Sequence, residues 1–236
     1  VNYLAMDLES VPDVAAGRRL YGFAGDDEQV AAAMARHRVA ETEGRSDFLA
    51  PGLHRIVGVG LAGVNPDSGA VKIEARCDED EGSLIGFAVG ALAKRPTLIT
   101  YNGGGFDLPV LRYRALIHGL AIPVLYGAPG DKQWERYDYR YGDRHIDLAD
   151  VLSGYGASSR MKLDEIAQLC GLGEKPMSGA DVWPAWLAGE RERIRGYVED
   201  DTVKTLRLFL RWQASRGRLP PDQLLALEEA LNGVPA

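Results

Sequence analysis

Several absences narrow this sequence before any motif is read. Its 236 residues contain no apolar run of about eighteen or more, so no membrane helix is expected. A basic-then-apolar leader is also missing. Cysteine is scarce: Cys77 and Cys170 lie far apart without C-x-x-C spacing, which excludes a disulfide framework or cysteine zinc site and reads as reduced, buried thiols. A cytoplasmic protein is therefore expected. His37, His54 and His118 show no ligand spacing, and no role is assigned to them. Positive charge is in deficit, with 27 Lys and Arg against 34 Asp and Glu. A broad electropositive surface is excluded. A nucleic-acid partner would need a local basic strip, or metal ions that reverse the sign of an acidic site. There is no internal repeat and no low-complexity tract.

At 46% hydrophobic and 26% charged, the chain suits one large globular domain over 1–236, with 219–236 as a C-terminal helical extension. Strands are expected over 3–8, 56–64, 71–75 and 97–100, with a short one at 145–148. Helices are expected over 25–44, 83–94, 108–120, 163–170, 182–189, 190–213 and 222–231. Residues 122–142 read as irregular and 173–179 as loop. This order predicts an α/β fold with a mixed central sheet flanked by helices.

The organising stretch is Leu98 to Leu108, where an apolar run breaks at Gly103-Gly104-Gly105 and a helical pattern follows. Asp107 opens that helix, where a carboxylate can cap backbone N–H groups. Asp7 and Glu9, two apart on the first strand, share a face. Tyr197 and Asp201, four apart on the longest helix, also share a face, and Val198, Thr202, Thr205, Leu206, Phe209 and Leu210 turn it towards the protein body. Glu199 and Asp200 fall on a solvated side. Gly58 to Gly63 matches G-x-G-x-x-G but lies inside a strand that runs into a turn and another strand, so it is not a dinucleotide site. The triple-glycine turn lacks the Lys-Ser/Thr of a P-loop.

The ordered set D-x-E (Asp7, Glu9), N-G-x-x-F-D (Asn102 to Asp107) and Y-x-x-x-D (Tyr197, Asp201) resembles the DEDD (DnaQ-like) 3′–5′ exonucleases. It is similar to the tyrosine branch, since Gly196 stands where a histidine-type motif would have its His. The nearest likeness is to stand-alone exonucleases related to the proofreading domain of family B DNA polymerases, and it extends through His145-Ile146-Asp147-Leu148, the 163–167 helix and 179–183. The resemblance implies a ribonuclease H-like fold and a two-metal 3′–5′ exonuclease acting on single-stranded DNA ends and releasing nucleoside 5′-monophosphates. It implies two Mg²⁺ or Mn²⁺ ions held by Asp7, Glu9, Asp107 and Asp201. Asp7 would bridge both ions, Glu9 and Asp201 would serve the water-activating one, and Asp107 would hold the second, directly or through water. Tyr197, with an ordinary pKa of about 10, would orient the attacking water. Leu8, Asn102 and Phe106 would meet the substrate, although Phe106 reads equally as a core residue locking the turn.

Independent chemistry agrees with the metal expectation. Gathered carboxylates repel, and hard oxygen ligands without a His or Cys cluster suit Mg²⁺ or Mn²⁺. Asp147 is expected in a structural hydrogen-bonding role rather than as a ligand. Tyr137, Tyr139 and Tyr141 alternate with Arg136, Arg140 and Arg144, as in a hairpin packed on the body or a base-stacking platform. Arg160 and Lys162 are placed to meet a substrate backbone. Two alternatives stand: the same chemistry on RNA, since no 2′-hydroxyl contact is readable, and a non-catalytic nucleic-acid-binding protein on the same fold.

Overall fold

A computed structural model describes residues 2–174 and 177–233. The chain opens with β1 (Tyr3–Pro12), followed by α1 (Val14–Tyr21), α2 (Asp27–Glu41), β2 (His54–Asn65), β3 (Ala70–Cys77) and α3 (Glu81–Ala91). It continues through β4 (Thr97–Thr100), α4 (Asp107–His118), α5 (Pro123–Tyr126), β5 (His145–Asp147) and α6 (Leu148–Leu152). Last come α7 (Leu163–Leu169), α8 (Val182–Leu187), α9 (Arg191–Ser215) and α10 (Pro221–Asn232). The sheet order is β3-β2-β1-β4-β5. β1 pairs antiparallel with β2 and parallel with β4, and β5 continues the parallel half. The mixed sheet is the one expected.

Alternation along β1 divides the core. Leu4, Met6 and Leu8 face a cluster with Leu84, Leu98, Leu108 and Leu111, which seats α3 and α4 on one face. Ala5 joins Ala62, Leu206 and Phe209 beneath α9 on the other, where Leu227 and Leu231 of α10 also pack. Asp7 and Glu9, in phase with Ala5, are thereby carried to the α9 face.

The structure departs from these expectations at four points. β1 runs through both acids to Pro12 instead of stopping at Leu8, because β2 pairs with it that far, past a bulge between Glu9 and Ser10. α1 was not anticipated; Asp13 caps it by accepting from the Ala16 N–H at 2.9 Å. Residues 136–144 form turns and no hairpin, and Cys77 and Cys170 are free but only half-buried. The loop expected over 173–179 includes positions 175 and 176, which lie outside the described residues.

A buried ion network ties α1, α3 and α4 together. Arg114 of α4 donates to both Glu81 oxygens at 2.7 and 2.6 Å and to Asp13 at 2.6 Å. Glu81 also accepts from the Ile56 N–H at 2.7 Å and contacts His118 at 2.7 Å. Buried carboxylates depend on such partners, and removing one strands the others. Arg114→Met should therefore lower unfolding free energy by about 3–5 kcal/mol in urea titration; a loss within ~0.5 kcal/mol, as at an exposed position, would contradict a stabilising network.

Candidate active site

The first acids lie opposite glycines: Asp7 pairs with Gly60 and Glu9 with Gly58. A Cβ on Gly60 would lie 2.1 Å from Thr202 Oγ1 and 2.6 Å from the Val198 carbonyl, and one on Gly58 would lie 3.1 Å from Glu9 Cβ. α9 can settle on β2 because those side chains are missing. The G-x-G pattern is thus a strand feature, as its context predicted, and it determines how closely the long helix approaches the acids.

That approach brings together one carboxylate oxygen from each of Asp7, Glu9 and Asp201, all within 4.8 Å of one another. Glu9 and Asp201 are buried and Asp7 half-buried. Tyr197 lies beside them, and its hydroxyl hydrogen-bonds the Asp201 carboxylate. Burial, reinforced by Asp201, Glu9 and Asp7, pushes its pKa well above the ordinary tyrosine value. Tyr197 therefore holds its proton and donates it in a hydrogen bond to Asp201. Glu199 and Asp200 are less solvated than expected: Arg195 holds Glu199 at 2.8 Å and Lys204 holds Asp200 at 2.7 Å.

Asp107 does not fall within that mutual spacing, and it does not cap α4. It is the first helical residue, and the preceding Phe106 makes no side-chain cap. Its Oδ1 instead accepts from the Leu8 N–H at 3.0 Å, which fixes it beside the strand segment between Asp7 and Glu9. Burial pushes its carboxyl up to about 7, against the pull of the Leu8 amide and with Asp147 adding to the rise. Leu8 puts its side chain into the core and its amide on Asp107.

The glycine turn is held by Asp147. One of its oxygens accepts from the N–H groups of Asn102 at 2.8 Å and Ala149 at 3.0 Å, and the other accepts from Gly104 at 2.9 Å. This is the structural role expected of it. Asn102 takes a left-handed backbone, φ 65°, and its side-chain oxygen accepts from Arg160 at 3.1 Å. His145 contacts Thr100 Oγ1 at 2.8 Å, and burial drives its pKa down to about 4.

Phe106 is half-buried against the core cluster and also meets Phe48 at 5.3 Å and His54 at 5.0 Å between ring centroids. Its two readings, core lock and ligand contact, are compatible in this position. Sequence reasoning missed Phe48 and His54. His54 Nε2 faces the Leu49 carbonyl at 3.2 Å, so it carries the proton, and Nδ1 accepts from Ser10 at 3.0 Å. No residue spacing signals this cluster, which depends on β1 and β2 pairing at the Glu9/Ser10 bulge.

Sequence comparison matches residues 46–233 to a family described as a predicted 3′-5′ exonuclease related to the exonuclease domain of PolB. The chain belongs to this family. The match begins after β1, so Asp7 and Glu9 enter the site on geometry and not on that alignment. The fold of this chain is similar to part of the family B DNA polymerase from the hyperthermophilic archaeon Pyrobaculum calidifontis, with TM-score 0.55 and 21% identity. The similarity covers 95% of this chain but 27% of the polymerase, so the chain spans about a quarter of that protein's length. The fold is thus ribonuclease H-like. No curated protein matches the sequence. Among the described residues no helix is long and apolar enough to cross a membrane.

The close seating of α9 is directly testable. On strand propensity alone, Gly60→Ala would stabilise β2; against Thr202 and the Val198 carbonyl it should instead cost about 1–3 kcal/mol in chemical denaturation. A neutral or stabilised variant would show that the contact does not constrain the helix.

Proposed function

We propose that this exonuclease is metal-dependent and removes nucleotides from the 3′ end of single-stranded DNA, releasing nucleoside 5′-monophosphates. The observation that carries the reading is the Asp7–Glu9–Asp201 carboxylate cluster with Tyr197 beside it. Buried hard oxygen donors at that spacing fit Mg²⁺ or Mn²⁺, whose charge would offset their repulsion. Asp7, Glu9 and Asp201 would hold one ion, and Asp7 with Asp107 a second. Such a pair supplies an activated water at neutral pH and stabilises charge on the departing oxygen.

The remaining work falls to the chain's own groups. Water attacks the terminal phosphorus, the P–O3′ bond breaks, and the proton lost by the water is balanced by one gained on the leaving 3′ oxygen. Tyr197 keeps its proton, which it donates in a hydrogen bond to Asp201, and orients the water by accepting a hydrogen bond from that water. Asp201 accepts from Tyr197 and fixes the ring. Phe106, backed by Phe48 and His54, gives the terminal base an apolar wall. Asn102, pinned by Asp147 and Arg160, shapes the turn against which the terminal nucleotide sits.

Degradation of oligonucleotides labelled at either end tests polarity, substrate and metal together. The 5′-labelled single strand should shorten stepwise while a 3′ label is lost at once as mononucleotide, and EDTA should stop both. Asp201→Asn should fall to background, and Tyr197→Phe should lose about 10–100-fold, the range for residues that orient metal-site groups. Faster loss from the 5′ end, or undiminished activity in EDTA, would overturn the proposal. Preference for RNA of the same sequence would overturn only the substrate.

A further inference from the structure

Beyond the glycine turn lies a second group of side chains that the chemistry above does not use. Tyr141 is 61% exposed and Tyr155 40% exposed, with ring centroids 5.0 Å apart. The Arg140 guanidinium lies 5.9 Å from one ring and 6.0 Å from the other. Tyr137, by contrast, is buried and donates its hydroxyl to the Pro96 carbonyl at 2.7 Å. The alternating Tyr/Arg stretch is therefore split: one ring serves the core and another faces solvent.

The exposed group is held rigidly. Tyr155 has φ 58°, between Gly154 and Gly156, both also at positive φ. A bulky side chain in that region is an outlier that persists only where surroundings enforce it, and such outliers concentrate at ligand sites. The enforcing bond is the Tyr155 N–H to the Asp150 carbonyl, at 2.7 Å. The buried Asp150 carboxylate accepts from Arg140 at 2.6 and 2.8 Å and from Arg160 as well. Two guanidinium groups share this one carboxylate, with the Asp138 and Asp147 carboxylates on the same cavity wall. Arg160 also donates to Asn102, which links this group by hydrogen bonds to the turn before Asp107. Between them lies a cavity of about 260 Å³ reached by Gly104, Arg112 and Arg160, and Arg112 Nε there has no hydrogen-bond partner.

We propose that Tyr141 and Tyr155, with Arg140 and Arg160, form a stacking subsite for single-stranded DNA upstream of the scissile end. Exposed rings beside fixed guanidinium groups match what an unpaired strand offers: base faces for stacking and phosphates for charge. The Arg112-lined cavity gives the strand its route from the subsite to the glycine turn. This rests on the exonuclease reading for the direction of the strand, but its binding chemistry is independent of turnover.

The test is fluorescence anisotropy with a 5′-labelled single-stranded 12-mer in EDTA, on the full chain. Tyr141→Ala with Tyr155→Asn, the latter chosen because Asn tolerates positive φ, should weaken Kd on the order of tenfold per ring. Tyr141→Phe with Tyr155→Phe keeps both rings and should bind like the wild type. An unchanged Kd in the ring-deleted variant overturns the subsite, as does equal weakening in the Phe pair, which would assign the effect to the hydroxyls. A wild-type protein that binds the strand through these rings but releases no mononucleotide with either Mg²⁺ or Mn²⁺ would refute the exonuclease reading and leave the subsite standing.

Discussion

The arrangement depends on one steric allowance: β2 carries no side chain where α9 crosses it. Gly60 leaves room for Thr202 and for the Val198 carbonyl, and the same two-residue register places Gly58 and Gly60 opposite Glu9 and Asp7. Helix α9 and β2 therefore meet at backbone distance beside the point where the neighbouring β1 carries its carboxylates. Tyr197 and Asp201, four residues apart on the facing side of α9, land beside them. A sheet with ordinary side chains at those two positions would hold the helix off and spread the acids apart.

The close meeting has an electrostatic cost that shapes the chemistry. Carboxylates within 4.8 Å repel, and burial raises the cost of each charge. The same field and burial keep Tyr197 protonated, as a hydrogen-bond donor to the carboxylate cluster. Asp107, held on the Leu8 amide, bears the burden of burial most plainly, with its carboxyl pushed up to about 7. A divalent cation would relieve both strains, and its binding would then be coupled to the ionised state of the site. The glycine turn, fixed by Asp147 through the N–H groups of Asn102 and Gly104, provides the rigid support that a positioned acid needs.

Much of this was legible in the sequence because it is local. The two-residue spacing of Asp7 and Glu9 and the four-residue spacing of Tyr197 and Asp201 each specify a shared face, and the glycine break before Asp107 marks a strand-to-helix turn. The unread parts depend on tertiary contact. α1 carries Gly17 in its interior, a weak helix former by propensity, yet a Cβ there would meet Met34 Sδ at 2.5 Å, so the glycine serves packing against α2. Asp107 reads as a helix cap but bonds ninety-nine residues away, beyond any local rule. The context of Gly58 and Gly60 already marks them as part of a strand and not a nucleotide motif, whereas their service to α9 depends on which helix lies above them. The pairing of Arg140 and Arg160 on Asp150, and the Phe48–His54–Phe106 cluster, likewise join distant segments.

The most direct measurement of the central claim is the binding of Mn²⁺ followed by electron paramagnetic resonance, where the signal of the free ion disappears on coordination. The wild-type chain should take up Mn²⁺ saturably, and Asp201→Asn, which removes the helix's carboxylate while leaving β1 intact, should bind it far more weakly. Uptake unaffected by that change would mean that the carboxylates of β1 and α9 do not form one cation site.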